Sequence, residues 1–439
     1  MTLAGDAVYG LTSGMPVGRS TGMEECSGRE EAIGRAGWLS RQLSLTAGRT
    51  KSLERYNRRD IMKKRLIASL VVGVSMLGMG SVMAQEPVKI GLVIPLTGAT
   101  AVYGKDGKAA ADWAAREINE AGGILGGRQL ELIYEDEKGT PQDGVAGVQK
   151  MINQAHVDAI IAGMNSSVTL AESAITKNKV LHINPGAQAD AITNQGSPWL
   201  FQINNTSSTN ANVFHDYLIH GMKPKTIAYM GENTEFSKAL LENLQGKLKD
   251  SDIEMVEVAT YDVHTTDFTS ILSRLKAAAP EMLYVVDAAP ARTAQIWKQV
   301  RQMGGFPMEV QSAGTVFGPS ITASEGAMEG VISGDIFITD GSEGEMLDFI
   351  EKARKETGGE PNKVTMVVYE AVHILAEAMD KAGTSTDYQK ISDTMRSETW
   401  STPRGNLRFD EKGRAIAPYF YIQEVKGDGV TLREVFEVQ

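Results

Sequence analysis

An α/β fold built as two tandem units is what this 439-residue sequence predicts. Three observations carry the prediction. From Val88 onward, short apolar runs alternate with segments of helical period. Strands alternating with helices of this length argue for parallel sheets covered on both faces. The rhythm then restarts after Trp199-Leu200-Phe201-Gln202-Ile203-Asn204, and the length suffices for two or three domains with real cores.

The first unit opens with the strand Val88 to Ile94, ended by Pro95. Ala110, Trp113, Ala114, Ile118 and Ala121 mark one face of a helix over 108–121, which Gly122-Gly123 stops. Gln129 to Tyr134 reads as the second strand, and Val145, Val148, Met151 and Ile152 line the next helix. The strand 157–162, a helix from Thr169 to Lys179 and the strand 180–183 complete the unit.

The second unit repeats the alternation. Helices are predicted over 210–220, 236–249 and 291–303, with one more marked by Phe268, Ile271, Leu272 and Leu275. Strands are predicted over 226–230, 253–260, 282–286 and 309–312, and residues 331–338 are apolar and extended. A helical stretch follows over 343–357, 363–382 and 388–396, and the end is β-rich over 405–410, 418–425 and 430–437. Ligands of open α/β sheets sit outside the carboxyl ends of the strands, so two such sheets face to face predict a cleft between lobes.

The beginning of the chain reads differently. Residues 1–61 are Gly-, Ser- and Arg-rich with no sustained period. Met62-Lys63-Lys64-Arg65, the apolar run Leu66 to Leu77 and Val82-Met83-Ala84 then form the charged, hydrophobic and cleavage regions of a signal peptide over 62–84, cut near Ala84. Translation from Met62 is the expectation, with 1–61 a mis-assigned extension; the rival is a membrane anchor, for which this run is short. Export places the mature protein in the periplasm. The single cysteine, Cys26, precedes the expected cleavage point and allows no internal disulfide.

Composition removes several classes. A net charge of −11 argues against nucleic-acid binding, which needs a basic face. The six histidines lack metal-ligand spacing, and no metal or cofactor is expected. There is no phosphate-binding G-x-x-x-x-G-K-[ST], no G-x-G-x-x-G after the first strand, no H-E-x-x-H and no G-x-S-x-G, so no enzyme is predicted. His182, at a strand end, reads as a packed, hydrogen-bonded residue, and Glu135 with Asp136 as solvated surface.

The stretch Ile160 to Leu170 carries the functional prediction. A buried strand ends at Ala162, Gly163 lets the backbone turn, and Asn165, Ser166, Ser167 and Thr169 stand where a helix begins. A helix start presents unpaired N–H groups and partial positive charge, which suits a carboxylate; Ser166 or Ser167 serving only as a cap explains the same composition. Tyr103 after the 98–102 loop is either a surface aromatic or a cleft residue. Gly186 permits close backbone approach after a strand, and Gln188 offers donors and an acceptor.

The order of these marks resembles the solute-binding proteins of branched-chain amino-acid ABC transporters, the Leu/Ile/Val-binding type with the type I periplasmic binding fold. The marks are Ile90-Gly91-Leu92 with Pro95-Leu96-Thr97-Gly98 and Tyr103-Gly104; Glu117-Ile118-Asn119 with Gly122-Gly123-Ile124; Ser166 to Thr169; Asn184-Pro185-Gly186; Phe268 with Leu272, Leu275 and Lys276; and Gly405 with Phe409-Asp410 and Gly413. They extend over Val88 to about Glu437.

The resemblance implies two Rossmann-like lobes joined by a three-strand hinge, lobe 1 over 85–205 plus 336–402 and lobe 2 over 206–335 plus 403–439. It implies a monomer that closes on a small-molecule ligand and docks on an ABC permease in the inner membrane. The alternative it leaves is a ligand-sensing receptor domain of the same fold. By the same resemblance Ser166 matches a carboxylate-binding serine, Gly186 a backbone-carbonyl position, and Tyr103 and Phe236 aromatic lining. The chain departs from the amino-acid binders at Gln188 (Thr or Ser there), Ala289 (Tyr) and Gly314 (an acid), with Asp287 a replacement acid or a helix cap. An amino acid and a small carboxylate without an α-ammonium, such as an aromatic acid, both stay open as ligands.

Overall fold

The structure, a computed structural model, describes residues 85–438. The expected extension over 1–61 and the expected signal peptide over 62–84 lie outside the described residues. The first unit is a five-stranded parallel sheet in the order β2-β1-β3-β4-β5. Its strands are β1 (Val88–Ile94), β2 (Leu130–Asp136), β3 (Ala159–Ala162), β4 (Leu181–Asn184) and β5 (Leu200–Gln202). Between them run α1 (Ala101–Glu120), α2 (Pro141–Lys150), α3 (Ser166–Thr176) and the short α4 (Asp190–Thr193). β1, β3 and β4 are almost entirely buried, as central strands of a sheet covered on both faces are.

The second unit is a seven-stranded sheet in the order β15-β14-β10-β9-β8-β6-β7. It contains β6 (Thr226–Glu232), β7 (Glu254–Tyr261), β8 (Met282–Val286), β9 (Met308–Gln311) and β10 (Ile332–Asp335), mutually parallel. The antiparallel hairpin β14 (Tyr419–Lys426) and β15 (Gly429–Glu437) completes it. Its helices are α5 (Ser207–Asp216), α6 (Glu235–Leu248), α7 (Thr269–Ala277), α8 (Pro290–Gln302) and α9 (Gly318–Ser324). The next two helices, α10 (Gly344–Thr357) and α11 (Lys363–Ala382), return to pack on α1 of the first unit, and α12 (Tyr388–Ser397) packs on α11.

The parallel strands of both sheets follow one pattern. Read as 2-1-3-4-5, the order β7-β6-β8-β9-β10 repeats that of the first sheet. Each sheet reverses its winding beside its first strand, between β1 and β3 and between β6 and β8, and a crevice opens at such a point. The chain passes between the units near 203–206, 336–343 and 417–418.

One expected boundary differs. Residues 403–416 stay with the first unit rather than the second. β11 (Trp400–Thr402), β12 (Gly405–Phe409) and β13 (Ala415–Ile416) form a small antiparallel sheet against β5. There the Gln202 amide donates to Gly413 O at 2.8 Å and Phe201 meets Phe409 edge-on. Arg404 fixes the arrangement, pairing with buried Glu370 of α11 at 2.8 Å and donating to Ile203 O at 2.6 Å.

α1 begins seven residues before the predicted start, at Ala101 instead of Lys108. Glycine disfavours a helix interior and made this turn read as loop. A Cβ at Gly104 would lie 2.0 Å from Pro95 O, so the absence of a side chain is what lets the helix seat against the end of β1. Tyr103 is therefore a helical residue of fixed direction.

Candidate functional site: the cleft between the sheets

A cavity of about 530 Å³ lies between the two units at both switch points. Its size falls within the range of about 300–1,000 Å³ that small-molecule sites occupy. The first unit contributes the turn after β1 (Thr100, Tyr103), the start of α3 (Asn165 to Val168) and the turn after β4 (Gly186, Gln188). The second contributes the turn after β6 (Glu232, Thr234, Phe236), the turn after β8 (Ala288, Ala289, Arg292) and Gly314; Lys363 comes from α11.

The start of α3 is held rigidly. Gly163 sits at φ +126°, and a Cβ there would lie 2.4 Å from Asn184 Oδ1, so only glycine makes this turn. Asn165, not a serine, is the N-cap, and its side chain makes no capping bond. The first amide to close a helical bond is that of Thr169, onto Asn165 O at 2.8 Å. The amides of Ser166, Ser167 and Val168 precede it, lack helical acceptors and belong to residues lining the cavity. Ser166 Oγ accepts the amides of Gln188 at 3.3 Å and Ala189 at 3.2 Å, which leaves its hydroxyl proton to donate. Three amides without helical acceptors, one hydroxyl and the positive helix end therefore belong to one stretch of the cavity wall, a combination that suits an anionic oxygen.

Eight of the ten sequence-predicted site residues line the cleft: Tyr103, Asn165, Ser166, Gly186, Gln188, Phe236, Ala289 and Gly314. Two do not. Thr169 is fully buried and donates its hydroxyl back to Asn165 O at 2.8 Å, within its own helix turn. Asp287 is fully buried behind the wall. Its oxygens accept from Arg292 Nε at 2.5 Å, Tyr261 at 2.6 Å and the Ala289 amide at 2.7 Å. It fills neither expected role: it is not among the residues lining the cavity, and Ala289, not Asp287, is the N-cap of α8. Arg292 also pairs with Glu232, whose side chain is 4 % exposed.

Several contacts join the units across the cavity. The Tyr103 hydroxyl donates to Ala288 O at 2.6 Å, and its ring lies 5.4 Å from that of Phe317. Burial, with Asp287, Glu232 and Asp335 nearby, pushes the Tyr103 phenol well above its ordinary range, so it stays a donor. Ser167 Oγ accepts the Glu235 amide at 3.4 Å, and Lys363 Nζ donates to Gly314 O at 2.5 Å. Gln188 turns its carbonyl to Asn210 at 2.7 Å. The structure is a closed arrangement.

Residues that sequence reading missed stand around these. Asp136, at the surface as expected, also organises a loop: it accepts the amides of Leu96, Thr97 and Lys138 and the Thr97 hydroxyl. Burial would raise it, but those bonds hold it below its ordinary range and shape the loop leading to Tyr103. Behind Asn165 lies a buried carboxyl pair, Glu137 and Glu172, both raised above the ordinary range by burial; Glu137 raises Glu172 further, while the bond with Glu172 opposes the rise of Glu137. Asn165 Nδ2 reaches Glu137 at 3.3 Å. Lys363 and Arg292 carried no sequence signal beyond standing in the first turn of a helix. His182 is the packed residue expected, with Nδ1 2.9 Å from the Thr176 hydroxyl and Nε2 2.9 Å from Ala162 O; burial lowers it to about 4.

Comparison with known proteins agrees with this geometry. A periplasmic binding protein family model matches residues 87–430. The Leucine-, isoleucine-, valine-, threonine-, and alanine-binding protein of Pseudomonas aeruginosa is 28% identical over 359 residues, covering 80% of this chain and 94% of that protein. A branched-chain amino acid transporter substrate-binding protein, LivJ, from Streptococcus pneumoniae, solved with isoleucine, superposes with a TM-score of 0.74 at 23% identity, covering 80% of this chain and all of that one. An ABC-transporter solute-binding protein from Rhodopseudomonas palustris, solved with 3,4-dihydroxybenzoic acid, gives 0.73 at 22% identity, covering 80% and 98%. The two structures share the two-sheet fold and hold different ligand classes. A model match over more than three-quarters of the sequence decides the family: this chain belongs to the periplasmic binding proteins.

Proposed function

We propose that this protein is the extracytoplasmic solute-binding component of an ABC importer. It holds a small organic carboxylate or amino acid in the cleft and delivers it to a membrane permease. The observation that carries the proposal is the set of α3 amides without helical acceptors, on residues that line a cavity of about 530 Å³, with side chains from both units meeting around it. A carboxylate seated there answers the amides of Ser166 to Val168 and the Ser166 hydroxyl. Tyr103, Phe236 and Ala289 surround the rest of the ligand. Burial of the ligand between two units that can part along three connections suits capture by closure, and a permease that reads only the closed form would read occupancy.

The names of the relatives support both ligand classes. The Pseudomonas and Streptococcus proteins bind amino acids, and the Rhodopseudomonas protein holds an aromatic acid. Periplasmic location follows from the family and from the signal-peptide pattern over 62–84. A thermal-shift screen of amino acids, aromatic acids and dicarboxylates tests the reading, because a ligand that binds the folded state raises the melting temperature by mass action. Stabilisation by members of these classes is expected. No shift with any of them would overturn it. N-terminal sequencing of the exported product tests export, with a start near Gln85 expected.

A further inference from the structure

The cleft lining includes the cation Lys363 beside Gly314 and Gln188. Gly314, at φ +74°, faces Lys363: a Cβ at this position would lie 2.3 Å from Lys363 Nζ and 3.0 Å from Gln188 Nε2. The lysine ammonium occupies the space a side chain at 314 would need. Lys363 is the first residue of α11, 7% exposed, and its Nζ donates to Gly314 O. Burial lowers Lys363 from its ordinary range and the nearby Asp335 charge opposes that fall; no ion pair within 4 Å forms between them among the described residues, and Asp335 Oδ1 accepts the Ile336 amide at 2.7 Å. An ammonium has three N–H donors, so Lys363 keeps donors beyond the Gly314 bond. Gln188 has its side-chain carbonyl on Asn210 and its backbone N–H on Ser166 Oγ, and its Nε2 and Lys363 Nζ both border Gly314.

The charges lining the cavity agree. Glu232 is the sole carboxylate on the wall among the described residues, and Arg292 engages it. Lys138, Arg292 and Lys363 oppose it. A ligand ammonium next to its own carboxylate would meet Lys363 and the Gln188 amide with no acid to receive it, and a buried charge without a partner is strongly disfavoured.

We propose that Lys363 is a specificity-determining residue: it rejects α-amino acids and selects carboxylic acids that carry an oxygen acceptor, and no ammonium, next to the carboxylate. The proposal rests on the solute-binding reading above and narrows its ligand. It predicts the ranking 2-oxo acid, then unsubstituted acid, then amino acid on one carbon skeleton.

Isothermal titration calorimetry of the purified protein tests it with two such sets. One is phenylpyruvate, 3-phenylpropanoate and phenylalanine; the other is 4-methyl-2-oxopentanoate, 4-methylpentanoate and leucine. The oxo acid of at least one set should bind at least about 30-fold more tightly than its amino acid, which is 2 kcal/mol at about 1.4 per tenfold. Lys363→Met should shrink that ratio below about threefold, whereas Lys363→Arg, which keeps the charge, should preserve most of it. An amino acid binding as tightly as its oxo acid overturns this inference and leaves the solute-binding reading standing. A large ratio that persists in folded Lys363→Met, or that Lys363→Arg abolishes while folded, overturns the role of Lys363. Binding by none of the six compounds overturns this inference, and the wider screen then decides the carboxylate reading of the cleft.

Discussion

Arg292 is the single side chain whose removal should cost most at the cleft wall. It is one cation facing two acids, Glu232 at 4 % and Asp287 at 0 % side-chain exposure, and it also donates to Val263 O at 2.7 Å. Arg292→Met keeps the aliphatic bulk and strands both carboxylates. Removing one partner of a buried ion pair costs about 3–5 kcal/mol, because the remaining charge is unsolvated. The unfolding entropy of a body of this size is about 0.7 kcal/mol/K at about 2.1 cal/mol/K per residue, so the melting temperature should fall by about 4–7 °C. The pH dependence has a definite sign. Burial raises Glu232 and Asp287, and Arg292 opposes that rise. Without Arg292 both hold protons in the folded state at a higher pH than in the unfolded chain, so their protonation favours folding at low pH and is lost as pH rises. The variant should therefore lose less at pH 5 than at pH 8. Scanning calorimetry at the two values reads this. A fall under 1 °C at pH 8, or a larger loss at pH 5, would refute the reasoning.

Three further outcomes follow from the same geometry. Tyr103→Phe removes the hydroxyl bond to Ala288 O across the cleft, so ligand affinity should drop about 3- to 10-fold by calorimetry while the unliganded melting point barely moves; unchanged affinity would count against that bond holding the closed form. Glu172→Gln removes one of two buried carboxyls in mutual contact, of which Glu137 is raised to about 7. The wild type should lose stability as pH rises from about 4.5 to 7 and the variant should lose less across that window, as urea denaturation at pH 5 and 8 would show. Gly163→Ala places a Cβ where Asn184 Oδ1 stands at φ +126°, and should destabilise by about 2 kcal/mol or more in the same assay.

Much of the fold was legible because its strands are buried on both faces and its helices carry long apolar stripes. The helix over 363–382 shows this best: Asn362 caps it, Gly383 ends it in the left-handed conformation, and its apolar face is continuous. The same reading failed at α1, where Gly104 looks like a loop residue until the Pro95 carbonyl it accommodates is visible, and Gly107 until the Met164 and Val368 side chains packed on it are. It also failed at 403–416, because pairing with β5 depends on a tertiary bridge between Gln202 and Arg414 rather than on local pattern. At the site, the strand–glycine–helix turn announced itself through its residue types. Arg292 and Lys363 did not, since a cation in the first turn of a helix ordinarily faces solvent. Asp287 shows the converse: a strand-end acid looked available, and its engagement by an arginine five residues later and a tyrosine twenty-six residues earlier appears only in three dimensions.

The claim beneath all of this is that a carboxylate sits on the unpaired amides where α3 begins. A crystal structure of the protein with whichever acid stabilises it most tests that claim directly. The account predicts carboxylate oxygens at about 2.7–3.1 Å from amide nitrogens among Ser166, Ser167 and Val168 and from Ser166 Oγ. A carboxylate bound elsewhere in the cleft, with those amides facing water or protein, would contradict it.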